Sequence, residues 1–387
     1  MDCREREKKK MRYLLMGCGA IGKSLLAIIK NLQEDYDITV CDPKINGLTG
    51  QEMIRKQHQD FDVVINLTQE KTIPIMDLCD TYGLAYIDAG FECDESGFSE
   101  PSACYEAFAK VVDSSIKGRQ LLGFGMNPGI IEYMVKVYAP DRPYLAVTFE
   151  TDAPIPPAGS EGQVFATWCP TTYYAEAAEC PANVVGKEGT FIHVSDAKRR
   201  DYRLTTKIGT YFYDVTPHDE LYSIVKFNEL CQGSAFIFHA PDNLQEFAHE
   251  NPVPASEIWK RVSEIPVYDD LEGEEHVGVI FYDGTDNLSY VVNRVKHADC
   301  YKKVGRNATS WQTACGVYIA MQLIADIPEG TKLTFSQATD LYKDKIREIL
   351  RKLDFKIERI NYFMDKEEFD QKLLPLFNHL CFIQGAL

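Results

Sequence analysis

Three glycines spaced G-x-G-x-x-G, Gly17, Gly19 and Gly22, constrain this chain more than any other feature. They follow the apolar run Tyr13-Leu14-Leu15-Met16 and precede Leu25, Ile28, Ile29 and Leu32, which with Ile21 recur at helical spacing. A short apolar run ending at glycine reads as a buried parallel strand, and the periodic run as a helix. In such a unit the first glycine allows a tight turn and the second admits a pyrophosphate to the backbone. The third lets helix and strand pack closely. The helix N-terminus then offers N–H groups to phosphate oxygens. A glycine-rich turn alone is weak support, because such turns are common. Asp42 strengthens it, ending a second apolar run, Ile38-Thr39-Val40-Cys41, at the distance where a carboxylate accepts a ribose 2′-hydroxyl. A carboxylate there repels a 2′-phosphate and favours NAD over NADP. The alternative is a nucleotide-free turn with Asp42 capping a loop, and it explains fewer of these features.

The alternation of strand and helix patterns continues. Residues 61–68 and 84–88 read as strands ending in polar residues, and 51–59, 74–82 and 102–116 as helices. Residues 120–125 form another strand, running through Met126-Asn127-Pro128-Gly129 into a helix over 130–138. Regular alternation of this kind gives a parallel sheet, whose ligand crevice lies at the carboxyl ends of the strands. Beyond Pro140, residues 144–151, 210–215, 235–239 and 277–282 look like strands of an antiparallel sheet, and 152–162 is a proline- and glycine-rich loop. The expected fold class is α/β: a Rossmann-type parallel-sheet domain plus a second mixed α+β domain. The first spans 11–138 with a returning helix near 306–325, and the second spans 139–305 for substrate and dimerisation. A helical C-terminal segment over 326–387 closes the molecule.

Composition narrows the partners. At 387 residues the chain suggests two domains, and a formal net charge of −17 disfavours nucleic acid while suiting small cations. The 12 cysteines include no C-x-x-C pair, so no metal site is expected, and they read as reduced thiols of a cytoplasmic protein. The basic start over residues 4–10 is not followed by a sustained apolar core, and no stretch is long enough to cross a membrane. His193, His218 and His297 have no partner visible in the sequence, and the acidic run 269–275 reads as a solvated loop. It lacks the order of a calcium-binding loop.

By residue 129 the chain resembles homospermidine synthases, relatives of the saccharopine dehydrogenases. The resemblance is carried by 61–68, 84–92 and Gly125-Met126-Asn127-Pro128-Gly129. Later stretches add to it: Thr167-Trp168, Glu176 with Cys180-Pro181-Ala182, Phe236-Ile237-Phe238-His239, and Asn307-Ala308-Thr309-Ser310-x-Gln312. Together these cover roughly residues 11–325 in the family's order. The chain departs after Ala182, where Asn183-Val184-Val185-Gly186 replaces the family's usual continuation, and the last sixty or so residues lie outside the likeness.

The resemblance implies NAD as cofactor, a homodimer, and a redox-neutral condensation of two putrescines or related polyamines. Hydride leaves an amine-bearing carbon, a second amine displaces ammonia from the imine, and the same NADH reduces the product. Catalytic roles then fall on Glu92, Asn127, Glu150, Trp168, Glu176 and His239. The cofactor set is Gly17, Gly19, Ala20, Ile21, Gly22, Asp42, Asn66, Leu67, Thr68, Asp88, Ala89, Asn127, Pro128 and Thr309. Taken alone, Asn127 could be only a helix cap and His239 only a satisfied core histidine. Two other readings remain: an oxidoreductase of the saccharopine dehydrogenase type acting on another amine, and an NAD-sensing protein without catalysis.

Overall fold

The computed structural model describes residues 10–92, 101–180, 182–195, 200–252, 255–285, 288–361 and 364–377. The basic start over 4–9 and Pro181 lie outside them. Strands β1 (Arg12–Met16), β2 (Asp37–Cys41), β3 (Val63–Asn66), β4 (Ala85–Asp88) and β5 (Arg119–Leu122) come from the apolar runs; β1, β3, β4 and β5 are almost wholly buried, whereas β2, at the sheet edge, buries only Cys41. A second group comprises β6 (Tyr144–Ile155), β7 (Asn183–Gly186), β8 (Thr190–His193), β9 (Tyr202–Thr206), β10 (Gly209–Thr216), β11 (Cys231–His239), β12 (Glu272–Tyr282) and β13 (Ser289–Lys296). The last two are β14 (Thr331–Thr334) and β15 (Glu358–Asn361).

The first sheet is parallel throughout, in the order β14-β5-β4-β3-β1-β2. β2 and β3 flank β1, so the chain switches direction there and leaves a crevice at the carboxyl ends of β1 and β3. The second sheet runs β15-β13-β12-β6-β11-β10-β9, with the β7–β8 hairpin joined to β11. It is mixed: β6 pairs antiparallel with β12 but parallel with β11.

Residues 326–377 carry the expected helices, over Phe335–Lys352 and Lys366–Lys372, but also two strands that were not expected from sequence. β14 extends the first sheet beside β5, β15 extends the second beside β13, and Phe369, Leu373, Leu376 and Phe377 seal one face of the second sheet. Each pairing satisfies the N–H and C=O groups of an edge strand, which local periodicity does not reveal. The proline-rich stretch is also shorter than expected, because β6 runs on to Ile155.

The helix Ala308–Leu323 returns against the first sheet. A side chain at Gly316 would meet the carbonyl oxygen of Gly125 at 2.0 Å, so this crossing is as close as backbone permits. Through it the two sheets share one core, in which Phe124, Met126, Val277 and Ala314 pack together.

Candidate active site

The glycine turn is built as its spacing requires. Gly17 adopts φ +89°, and a Cβ there would lie 2.4 Å from the carbonyl oxygen of Leu67. A Cβ on Gly22 would lie 2.4 Å from the carbonyl oxygen of Gly17. Gly19 differs, because a Cβ there meets nothing within 4 Å. Two glycines are therefore needed for packing, and the third borders open space at the N-terminus of the helix Ala20–Asn31. That helix has no acidic residue in its first turn, which suits an anion at its N-terminus. This cradle fits a pyrophosphate.

Asp42 both caps the helix Pro43–Asn46 and anchors the turn. Its carboxylate accepts from the N–H groups of Cys18 and Lys44, each at 2.9 Å. Those two bonds hold it below the usual carboxylate range, so it stays ionised and half-exposed at the end of β2. Across the crevice, Asn66 accepts from Thr68 through both its backbone N–H and its hydroxyl, and donates to Tyr86 at 3.1 Å. Leu67 and Ala89 line the turns after β3 and β4. Asp88 is turned inward: it accepts from the Gly123 N–H at 2.6 Å, and burial pushes its carboxyl up to about 8. It pins β4 to the turn after β5, a structural task.

The second sheet supplies the carboxyl groups. Strand parity puts Glu150 and Asp152 on the face of β6 that looks toward the first sheet, beside Phe238 of β11. The side-chain amide of Asn127 donates to Glu150 at 2.7 Å, which joins the turn after β5 to β6. Glu275 stands opposite Asp152 on β12 and accepts from the Thr309 hydroxyl at 2.6 Å. Thr309, assigned by the resemblance to the cofactor, therefore spends its hydroxyl on Glu275. Burial pushes Glu150 up to about 7, and burial with the charges of Glu150 and Asp152 pushes Glu275 well up, while a hydrogen bond from Glu275 eases the ionisation of Glu150.

Glu92 and Glu176 join this group. Glu92 follows β4, where its backbone is tied to Thr72 at 2.9 Å and 3.1 Å. Burial, reinforced by Asp219, pushes its carboxyl up to about 7. Glu176 lies in a widened π-helical turn, Ala175–Glu179, and burial raises it to about 8 against the pull of His218. The groups acting next on Glu176 are Asp219, Glu92 and Glu150, so four acids converge electrostatically.

His218, Asp219 and Glu220 complete the site and were not singled out from sequence. His218 Nδ1 contacts Glu220, and its ring lies 4.5 Å from that of Phe236. Burial opposes its charge, but Glu220, Glu176 and Asp219 outweigh that and raise it to about 10. Asp219 accepts the Phe91 N–H at 3.0 Å, and burial raises it to about 6. His297, also set aside, lies 3.3 Å from Asp152. The run read as a solvated loop enters β12 at Glu272, and Glu275 within it is buried.

Trp168 is half-buried against the core next to Thr167, whose hydroxyl contacts Asp152. Its indole N–H is shut from solvent and meets no hydrogen-bond partner among the described residues. Gln69 spans the crevice to this segment, donating to Cys169 Sγ at 2.7 Å and Thr172 at 3.3 Å.

His239 is not brought to the cluster. It pairs in register with Thr151, one residue from Glu150, and the alternation of a strand sends it to the opposite face. There its Nδ1 meets the Phe212 carbonyl oxygen at 2.9 Å, and its ring packs 5.0 Å from Tyr211. The reading as a satisfied core histidine is the one this geometry supports.

Among the described residues no helix is long and apolar enough to cross a membrane. No protein-family model and no curated protein matches the sequence. Solved structures do. The apo saccharopine dehydrogenase (L-Glu forming) of Saccharomyces cerevisiae aligns over 91% of this chain and 100% of its own, at 13% identity and TM-score 0.52. The homospermidine synthase of Legionella pneumophila, solved in complex with NAD, aligns over 91% of each chain at 15% identity and TM-score 0.70. The chain therefore has the fold of homospermidine synthase, with the more distant saccharopine dehydrogenase built on the same plan.

Proposed function

We propose that this protein is an NAD-dependent enzyme of amine exchange, acting on putrescine or a close di- or polyamine. It oxidises the carbon bearing one amine, lets a second amine displace ammonia, and reduces the new imine. The convergence of Glu92, Glu150, Glu176 and Asp219 around the end of the parallel sheet carries this reading. Carboxyls buried or half-buried beside a nucleotide crevice suit a substrate that brings its own positive charges. An anionic keto acid would need basic groups there, which weighs against the saccharopine-type reaction.

Gly17, Gly19 and Gly22 with the following helix would hold the pyrophosphate, and Asp42 the adenine-side ribose. When bound, NAD supplies hydride abstraction and return. The chain's own residues do the rest. Glu150, held by Asn127, accepts a proton from an ammonium group and orients it. Glu176 and Glu92 offer charge to distal ammonium groups. Phe236 and Phe238, on the same face as Glu150, exclude water that would hydrolyse an imine. Trp168 offers an indole face to the cationic carbon skeleton.

The test is incubation with NAD and a panel of diamines, with products identified by mass. The reading expects a secondary amine and ammonia from putrescine, and NAD preferred to NADP by a margin that Asp42→Ala narrows. Turnover of keto acids without diamine turnover would contradict it.

A further inference from the structure

Glu275 lies outside the set of residues to which the resemblance gave a role. It stands on β12 directly opposite Asp152, while Val277 stands opposite Glu150. In an antiparallel pair, Glu275 and Glu150 are then diagonal neighbours on one face, a spacing long side chains bridge. Both are buried, with 1% and 6% of their surface exposed. Each has one neutral partner, the Thr309 hydroxyl and the Asn127 amide respectively. Beside them, Asp152 Oδ1 and His297 Nε2 are fully buried and face each other at 3.3 Å without a hydrogen bond. Two negative charges so placed repel strongly, and one proton relieves the repulsion.

We infer that Glu150 and Glu275 hold one proton between them across the β6–β12 pairing, and that Glu275, acting through Glu150, is the proton reserve of amine exchange. The inference rests on the amine-exchange reading for its use, but not for its existence. In that exchange, an incoming ammonium gives a proton to ionised Glu150. The freed amine adds its lone pair to the iminium carbon, forming the new C–N bond. One proton of the added nitrogen passes to the departing nitrogen, the old C–N bond breaks as that nitrogen takes its electron pair and leaves as ammonia, and the ammonia gains a proton from the carboxyl pair. An iminium and an ammonium enter, and a substituted iminium and an ammonium leave. No oxidant is consumed, and the pair again holds one proton.

Asp152, Glu275 and His297 are close enough to share a cation. However, His297 Nδ1 accepts the Ala308 N–H at 3.3 Å, which leaves the ring proton on Nε2, facing Asp152. A nitrogen that carries its proton there has no lone pair to offer a metal. The charged or titratable groups facing the pair are Asp152, His218, His297 and Cys300, with Glu176 and Asp219 farther out.

Infrared difference spectra of the free protein test the pair directly, without NAD or diamine. At about pH 7 an ordinary carboxyl is ionised, so any carboxylic acid C=O band reports a raised group. Relative to the unmodified protein, Glu275→Gln should lose one such band while its melting temperature stays close. Glu150→Gln, which removes the repelling charge, should let Glu275 ionise and lose the same band. It serves as the second measurement should Glu275→Gln fold poorly. If both variants keep every carboxylic acid band of the unmodified protein, Glu275 is ionised and the shared proton is disproved. A band lost as expected in a protein that turns over no diamine would instead count against the proposed function alone.

Discussion

The side-chain amide of Asn127, in the turn after one sheet's β5, donates to the carboxylate of Glu150, on β6 of the other sheet, at 2.7 Å. Asn127 ends the approach from β5, and Glu150 sits midway along β6. A neutral donor keeps Glu150 oriented in a buried place and leaves its second oxygen for a ligand or Glu275. Asn127→Ala removes a hydrogen bond to an ionisable group, worth roughly 1.5–3 kcal/mol. Calorimetry should show diamine affinity falling by on the order of tenfold or more, with the melting temperature moving little. Unchanged affinity would mean that Glu150 is held by other contacts.

The glycines make a cleaner separation of packing from ligand contact. Gly22→Ala puts a methyl 2.4 Å from the carbonyl oxygen of Gly17 and should lower the melting temperature. Gly19→Ala meets no protein atom within 4 Å, so it should fold normally and lose NAD affinity. Melting curves with and without NAD check both. A Gly19→Ala variant stabilised by NAD as strongly as the unmodified protein would contradict the placement of the pyrophosphate.

How much of this was legible follows from what fixes each feature. The turn at Gly17 and the βα alternation are local, so period and spacing showed them. The contributions of β14 and β15 to two separate sheets are long-range pairings with no local trace. His239 was misplaced although the signal existed: in Phe236-Ile237-Phe238-His239 a two-residue period sets Phe238 on the face of Glu150 and His239 on the other. The same period links Glu275 to Val277 and Val279 on one face of β12, a pattern hidden by its acidic neighbours. His218 offered a signal two residues away, in Glu220. Its relation to Glu176 arises only when a loop and a π-helical turn meet in space.

Trp168 is tested by graded substitution. An indole face holds a cation by about 2 kcal/mol when water is excluded. Since about 1.4 kcal/mol is tenfold in rate, losing it should cost on the order of tenfold or more in turnover. Trp168→Phe keeps part of the attraction and Trp168→Leu keeps only burial, so activity should fall in the order Trp, Phe, Leu. Melting temperature should change little for Phe. If the Leu variant were fully active, or lost activity only in step with its folding, Trp168 would be a core residue.

The half-buried acids predict an unusual pH dependence of stability. Glu92, Glu176 and Asp219 are raised to about 7, about 8 and about 6, so the folded state binds their protons more tightly than the unfolded chain does. Their contribution is full below the unfolded carboxyl values near 4. It is lost as pH rises through about 6 to about 8. His218, raised to about 10, acts in the same direction and extends the loss upward. Urea unfolding should therefore show the free protein weakening between about pH 5 and about pH 9, and a bound diamine should offset the loss at the alkaline end. Stability rising with pH over that range would show these acids to be ionised in the fold.

The most direct measurement follows NADH, ammonia and amine product together during turnover of putrescine with NAD far below the substrate concentration. A borrowed and returned hydride predicts ammonia and secondary amine in equal amounts, many times the NAD supplied, with no NADH building up. NADH accumulating mole for mole with product would contradict amine exchange and make the protein a net oxidoreductase.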